Sequence, residues 1–341
     1  MAQQNADLKT NIKIVLGCMT IGGEGTNQAR IHGLEEAGEF LDTFQRYGLD
    51  EIDTARVYGG GTSEEMLGKL DLVKRGLIVD TKLSASAKIG LPEGVKTTHR
   101  PEHLRQGLEV SLKALNLEKV DMFYLHAPDR TTPYEDTFRE LNKLHQEGKF
   151  NRIGISNFMA WEVAQICEIC ERNGWVKPSV YQGIYNAYHR GAEAELFPCL
   201  RKYNISFYQY NPLAGGYLTN RYQRDQADFE RGTRFDPLNK GQGDTYRYRY
   251  WREEYFDALD ILRAMVKKHG ISEAEAALRW CTHHSGLKGE YGDAIIIGAS
   301  SSKQLKENLE NLAKGPLPDE VLKALDDGWD TVKGVCVPYF R

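Results

Sequence analysis

The chain has 341 residues, 41% hydrophobic and 27% charged, with a formal net charge of −4 and a sequence pI near 6.2. This is the composition of a globular protein, with no basic surplus for nucleic acid or membrane surfaces and no apolar run near the roughly 20 residues that span a bilayer. The polar start MAQQNADLKTN lacks the apolar segment of a secretory signal, and six cysteines in this length make no disulfide scaffold, so a reduced, cytoplasmic protein is expected.

In chain order, short apolar runs alternate with longer segments at helical spacing. The first run, IKIVLG (12–17), precedes the helical pattern GLEEAGEFLDTFQRYG. DEIDTA (50–55) and LIVDTKL (77–83) follow, and then the helical RPEHLRQGLEVSLKALN. VDMFYLH (120–126) leads into TPYEDTFRELNKLHQEGK, which closes on Gly148 and Lys149 as helices commonly do. RIGISN (152–157) precedes WEVAQICEICERNG, where Val163, Ile166, Cys167 and Cys170 share a helical face. No second cysteine pair accompanies that CEIC, so buried structural thiols are expected rather than a zinc or redox site. SVYQGIY (179–185), ISFYQYN (205–211) and AIIIGAS (294–300) complete eight runs.

Eight strands alternating with helices predict a parallel (β/α)8 TIM barrel, which takes about 250 residues. The surplus length has two homes: a long loop after strand 7, residues 213–250, and extra C-terminal helices and tail over 301–341. One domain spanning 1–341 is expected. The open doubly wound alternative would want a G-x-G-x-x-G turn after an early strand, and GGGTSEE lacks that spacing.

Catalytic groups of such barrels lie at the C-terminal ends of strands and in the loops that follow. Asp53 ends the second strand, Tyr58 follows in TARVYGGG, Lys82 ends the third and His126 the fourth. Each alone is weak; together they suit proton delivery. An ammonium near a phenol favours the phenolate and lowers its pKa below about 10, and a carboxylate holds the ammonium in place. The phenol then donates to a developing alkoxide, and a histidine orients the carbonyl. No side chain supplies hydride, so carbonyl reduction by these four groups needs a nicotinamide cofactor. No metal site is expected.

These residues resemble the aldo-keto reductases. LDEIDTARVYGGGTSEEMLG is similar to that family's first signature, and YNPLAGGYLTN, TYRYRYW, ASSSKQLKENL and the ending YFR are similar to its aflatoxin-aldehyde and succinic-semialdehyde reductase branch. The resemblance implies Tyr58 as acid, Lys82 and Asp53 (which also borders the cofactor) tuning it, and His126 orienting substrate. It implies that Ser156, Asn157 and Gln182 bond a nicotinamide carboxamide and that Tyr210 stacks on the ring. Asn211, Pro212, Leu213, Ala214, Gly215, Gly216 and Asn220 would wrap the pyrophosphate and Arg234 would meet phosphate. Ser300, Ser301, Gln304 and Asn308 would cradle the adenosine end at a helix N-terminus. The Lys-Ser and later Arg that many family members use on a 2′-phosphate are replaced here by Gly298, Ala299 and Gln304. NADPH is the cofactor expected, with Lys303 as a local charge. The resembled branch is often dimeric, so a homodimer is the assembly expected.

DTYRYRYWREEYF (244–256) reads as an exposed amphipathic helix start or an aromatic-cationic patch; interrupting acids and the net negative charge disfavour nucleic acid. The resemblance puts Tyr246 and Arg249 in the substrate pocket and brings Arg341 of the closing VPYFR back over the barrel mouth. Guanidinium groups there would grip a carboxylate, so a carbonyl substrate with a carboxylate or a second carbonyl is expected. His283 and His284, late in a helix, are expected to be solvated or end-capping. Two other functions fit the pattern: a scaffold resembling the potassium-channel β subunits, and an aldolase-type barrel with Lys82 as a Schiff base.

Overall fold

A computed structural model describes residues 8–85 and 97–341. Eight parallel strands close into a barrel in sequence order: β1 (Lys13–Gly17), β2 (Glu51–Asp53), β3 (Ile78–Leu83), β4 (Val120–Leu125), β5 (Phe150–Ser156), β6 (Val180–Ile184), β7 (Ser206–Tyr210) and β8 (Ala294–Ile297). β8 returns to β1, with Ile295 beside Ile14. All eight runs read from the sequence are strands, most of them trimmed by up to three residues at an end, while β5 starts two residues earlier, at Phe150. Strand alternation then sorts side chains. Val15, Met122, Tyr124, Val180, Tyr208, Ala294 and Ile296 pack together inside the barrel, while residues such as Leu16, Ile52, Ile153 and Phe207 face the helices in the main core. Below the interior cluster, Arg152 meets Glu51 at 3.2 Å and the Tyr208 hydroxyl at 3.2 Å.

The helices start and stop where local chemistry dictates. α1 (Leu34–Gln45) and a short α2 (Thr62–Leu67) follow β1 and β2. α3 (Pro101–Leu115) opens on proline and ends at Asn116 in left-handed geometry. α4 (Tyr134–Gln146) carries Glu135 and Asp136 in its first turn and Lys143 and His145 in its last, matching its dipole. α5 (Ala160–Asn173) buries Cys167 and Cys170 completely and ends at left-handed Gly174; burial lifts both thiols to about 12, so they are inert structural side chains. α6 (Leu196–Lys202) is short.

The segment expected as a long loop is partly ordered structure. It holds a tight turn at Ala214–Gly216 and ends in α7 (Gln242–Tyr250). The helix breaks at Trp251 and restarts as α8 (Glu253–His269). The expectation of one exposed amphipathic start was therefore incomplete: Tyr246, Arg249 and Tyr250 turn inward, and Tyr248 is 65% exposed. α9 (Glu273–His283) precedes β8; α10 (Ser302–Leu312) and α11 (Asp319–Val332) follow it, with α11 packed on α8. His283 Nε2 lies 2.6 Å from the Lys314 carbonyl, and His284 Nε2 accepts from the Leu317 amide at 2.9 Å. Both bind the α10–α11 connection, a long-range job that helix position alone does not reveal. Beyond α11 the chain folds back, and Tyr339 is buried.

Candidate active site

Asp53 and Lys82 project from adjacent strands into the barrel, and Tyr58 reaches the same spot from the loop after β2. That loop turns through Gly59, Gly60 and Gly61 at φ of 55°, 65° and 100°. At Gly61 a Cβ would come within 1.7 Å of the Arg56 guanidinium, so only glycine fits. Arg56 donates to Glu64 at 3.0 Å, and Glu64 accepts from the Thr81 hydroxyl at 2.5 Å. The Tyr58 loop is thereby fastened to α2 and β3.

Lys82 is wholly buried. Its ammonium donates to Asp53 Oδ1 at 2.5 Å, to the Thr54 carbonyl at 2.7 Å and to the Tyr58 hydroxyl at 3.3 Å. All three protons of the ammonium have acceptors. Asp53 Oδ2 accepts from Gln182 Nε2 at 2.8 Å, an interaction that sequence reading missed: Gln182 holds the carboxylate from across the barrel. His126 follows β4 directly, and its ring meets the Tyr58 ring edge-on at 5.9 Å. The four expected groups are thus brought together.

Burial alone would strip Lys82 of its charge, but Asp53 and Tyr58 more than offset it and hold its pKa above the ordinary value. A lysine kept protonated is a poor Schiff-base nucleophile, which weighs against the aldolase reading. Burial pushes the Tyr58 phenol above its usual 10, and the Lys82 ammonium pulls it back only in part. The expected net lowering of this phenol is therefore corrected: desolvation outweighs the ammonium, and Tyr58 stays a protonated donor at neutral pH. Burial, Lys82 and Arg341 together hold the His126 imidazole far below 6.5 and neutral. Its Nδ1 is buried without a partner among the described residues.

The mouth above this cluster is shaped by two asparagines. Asn157 and Asn211 leave β5 and β7 in left-handed geometry, φ 66° and 65°, a conformation asparagine tolerates. Asn157 Nδ2 donates to the His126 carbonyl at 2.9 Å and to Ser156 Oγ at 2.8 Å, and its Oδ1 accepts from the Tyr210 hydroxyl at 2.9 Å. Asn211 Oδ1 accepts from the Tyr246 hydroxyl at 2.8 Å, while its Nδ2 is buried and has no partner among the described residues. Pro212 and Ala214 are buried, and Leu213 is half-buried. Gly215 lies at φ 72° where a Cβ would meet the Tyr246 ring at 2.2 Å.

Two guanidiniums approach that Tyr246 ring, Arg234 at 5.3 Å and Arg249 at 5.6 Å from its centroid. Arg249 is only 8% exposed, is hydrogen-bonded to Tyr210, and has no acidic partner among the described residues. The Arg341 side chain is exposed, but its charge is felt at His126. At α10, Ser301 Oγ accepts from the Gln304 amide at 3.2 Å, Gln304 Oε1 accepts from the Ser300 amide at 2.8 Å, and Asn308 donates to the Gly298 carbonyl at 3.4 Å. This is a well-made helix cap whose remaining amides point outward. Asn220 is exposed at the outer edge and shares no hydrogen bond with the tetrad.

A sequence model of the Aldo/keto reductase family matches residues 13–330. The chain belongs to the aldo/keto reductase family. It is 53% identical over 300 residues to an aldo-keto reductase of Pseudocercospora fijiensis, covering 88% of this chain and 99% of that one. Aldo-keto reductase pigE of Monascus ruber is 47% identical over 337 residues, 98% of each chain. Aflatoxin B1 aldehyde reductase member 2 of Homo sapiens is 42% identical over 327 residues, 92% of this chain and 89% of that one. This aldo/keto reductase is an oxidoreductase acting on small carbonyl compounds with a nicotinamide cofactor. No helix among its described residues is long and apolar enough to cross a membrane.

Proposed function

We propose that this chain reduces aldehydes and ketones to alcohols with NADPH, favouring carbonyl substrates that carry a carboxylate or a second carbonyl. The observation behind the reaction is the Tyr58 hydroxyl held 3.3 Å from a buried Lys82 ammonium that Asp53 fixes. The residues at the mouth fit a nicotinamide dinucleotide: a left-handed glycine turn, the Asn211 amide and Arg234, which have no hydrogen-bond and no acidic partner respectively among the described residues, and the capped start of α10. Ser156, Asn157 and Gln182 would hold the carboxamide, Tyr210 the ring, Asn211–Gly216 with Asn220 and Arg234 the phosphates, and Ser300, Ser301, Gln304 and Asn308 the adenosine end. When bound, that group supplies the hydride.

The chain's own residues handle the proton and the charge. Neutral His126 orients the carbonyl oxygen toward Tyr58. Tyr58 gives its hydroxyl proton to that oxygen as negative charge develops there. Lys82 stabilises the phenolate left behind until solvent reprotonates it, and Asp53, gripped by Gln182, keeps Lys82 charged. Arg249 supports the substrate preference: a buried guanidinium lacking an acid is matched by a substrate carboxylate through two parallel bonds, with Arg341 and Tyr246 completing that side. One domain over 1–341, a cytoplasmic location and a homodimer complete the reading.

The test is NADPH oxidation with 2-carboxybenzaldehyde and succinic semialdehyde. Tyr58→Phe should keep cofactor affinity and lose roughly 10²–10⁴ in kcat. Normal turnover in that variant would refute the acid assignment, and no oxidation by any carbonyl in the wild-type protein would favour a scaffold.

A further inference from the structure

Asn157 joins both sides of the mouth, since its amide binds the His126 carbonyl and the Tyr210 hydroxyl. Its own carbonyl is held by the last residue of the chain: the Arg341 main-chain amide donates to it at 3.1 Å. Two residues earlier the tail is bolted down. The Tyr339 hydroxyl donates to Glu195 Oε1 at 2.5 Å and accepts from the Ala160 amide at 3.0 Å. Ala160 opens α5, two residues beyond Phe158. Tyr339 is buried, with its ring edge-on to Phe340 at 5.1 Å.

We infer that the docked tail is a positioning element for catalysis: Tyr339, clamped by Glu195 and the start of α5, presents the Arg341 amide to Asn157, and Asn157 fixes where His126 and Tyr210 stand. The contact is through main chain, so it acts on every carbonyl substrate, whether or not it carries a carboxylate. An unsupported asparagine in left-handed geometry has many alternatives, and a carbonyl-orienting imidazole displaced by about 1 Å can cost two orders of magnitude in rate. Tyr339 and Glu195 are positioning residues, touching neither substrate nor cofactor. This rests on the reductase reading for its kinetic consequence but not for its geometry.

Two readouts test it. Tyr339→Phe removes both bonds of the clamp while keeping the buried ring, and Glu195→Gln loosens it from outside without altering the tail. Each should lower kcat for a neutral aldehyde such as benzaldehyde, roughly tenfold for Tyr339→Phe and less for Glu195→Gln, with little change in KM. Independently of turnover, NMR titration of His126 should show its pKa rising toward 6.5 in both variants. The groups facing the ring are Lys82, Tyr58 and Arg341, and a released tail removes one cation and admits water. Wild-type kcat on benzaldehyde in Tyr339→Phe, or an unmoved His126 titration, would overturn the inference. If the wild-type protein reduces no carbonyl, the reductase reading fails and the titration alone decides this one.

Discussion

The floor of the site and its rim are built in opposite ways. On the floor, Lys82, Asp53 and Gln182 come from strands of one closed sheet, and the Lys82 ammonium and the Asp53 carboxylate are matched within the protein. At the rim, Arg234, Arg249, Tyr246 and Arg341 come from a loop, a helix and a tail, and neither Arg234 nor Arg249 has an acid among the described residues. A saturated floor keeps the same electrostatics whatever enters. An unsaturated rim leaves charge to be answered by what binds. On the proposed reading, the first fixes the chemistry and the second the choice of substrate.

The largest break in this contrast comes from Asp53→Asn. It leaves the buried Lys82 ammonium without its carboxylate counter-charge, and breaking a buried ion pair by neutralising one partner costs up to about 3–5 kcal/mol. The variant should lose most of its turnover on neutral and carboxylated aldehydes alike, and its urea midpoint should fall; an unchanged midpoint would mean Lys82 is not charged in the fold.

A smaller effect is expected from Arg341→Ala, whose side chain is exposed and screened. It should raise KM for succinic semialdehyde by roughly 1.5- to fivefold, about the worth of one exposed ion pair. An equal rise for a neutral aldehyde would remove Arg341 from the carboxylate site.

A further effect spreads over the whole molecule. Burial lowers His99 to about 4 and His189 to about 3, and lowers His126 well below its usual value. Below pH 6.5 the unfolded chain takes up protons that these folded histidines refuse, so their contribution to stability falls as pH drops through the 6.5-to-4 window, by up to about 1.4 kcal/mol per pH unit each, while Asp80, held well above the usual carboxylate range by burial and by Glu51 and Asp53, works in the opposite direction. The change in thermal midpoint between pH 7 and pH 5 should be less unfavourable in a His99→Gln variant than in the wild-type protein; identical changes would contradict the burial shift at His99.

The barrel was legible because each strand carried its own signal, and the four residues proposed for catalysis because each sits at or just past a strand end. Tyr246 and Arg249 came only through family likeness, since a Tyr-Arg alternation does not say which face of α7 turns inward. Gln182 gave no sign that it would grip Asp53 across the barrel. The Tyr339–Glu195 clamp joins residues 144 positions apart, and local spacing holds no trace of it. The phenol's raised pKa also escaped sequence reasoning, because charge neighbours can be guessed from spacing and depth of burial cannot.

The division between floor and rim is tested most directly by the ratio of kcat/KM for 2-carboxybenzaldehyde to that for benzaldehyde, measured in wild-type, Tyr58→Phe and Arg249→Ala proteins. Tyr58→Phe should depress both values and keep the ratio, while Arg249→Ala should collapse it by roughly ten- to a hundredfold, the worth of about 1.5–3 kcal/mol for a charged hydrogen bond. A ratio that survives Arg249→Ala would contradict the account.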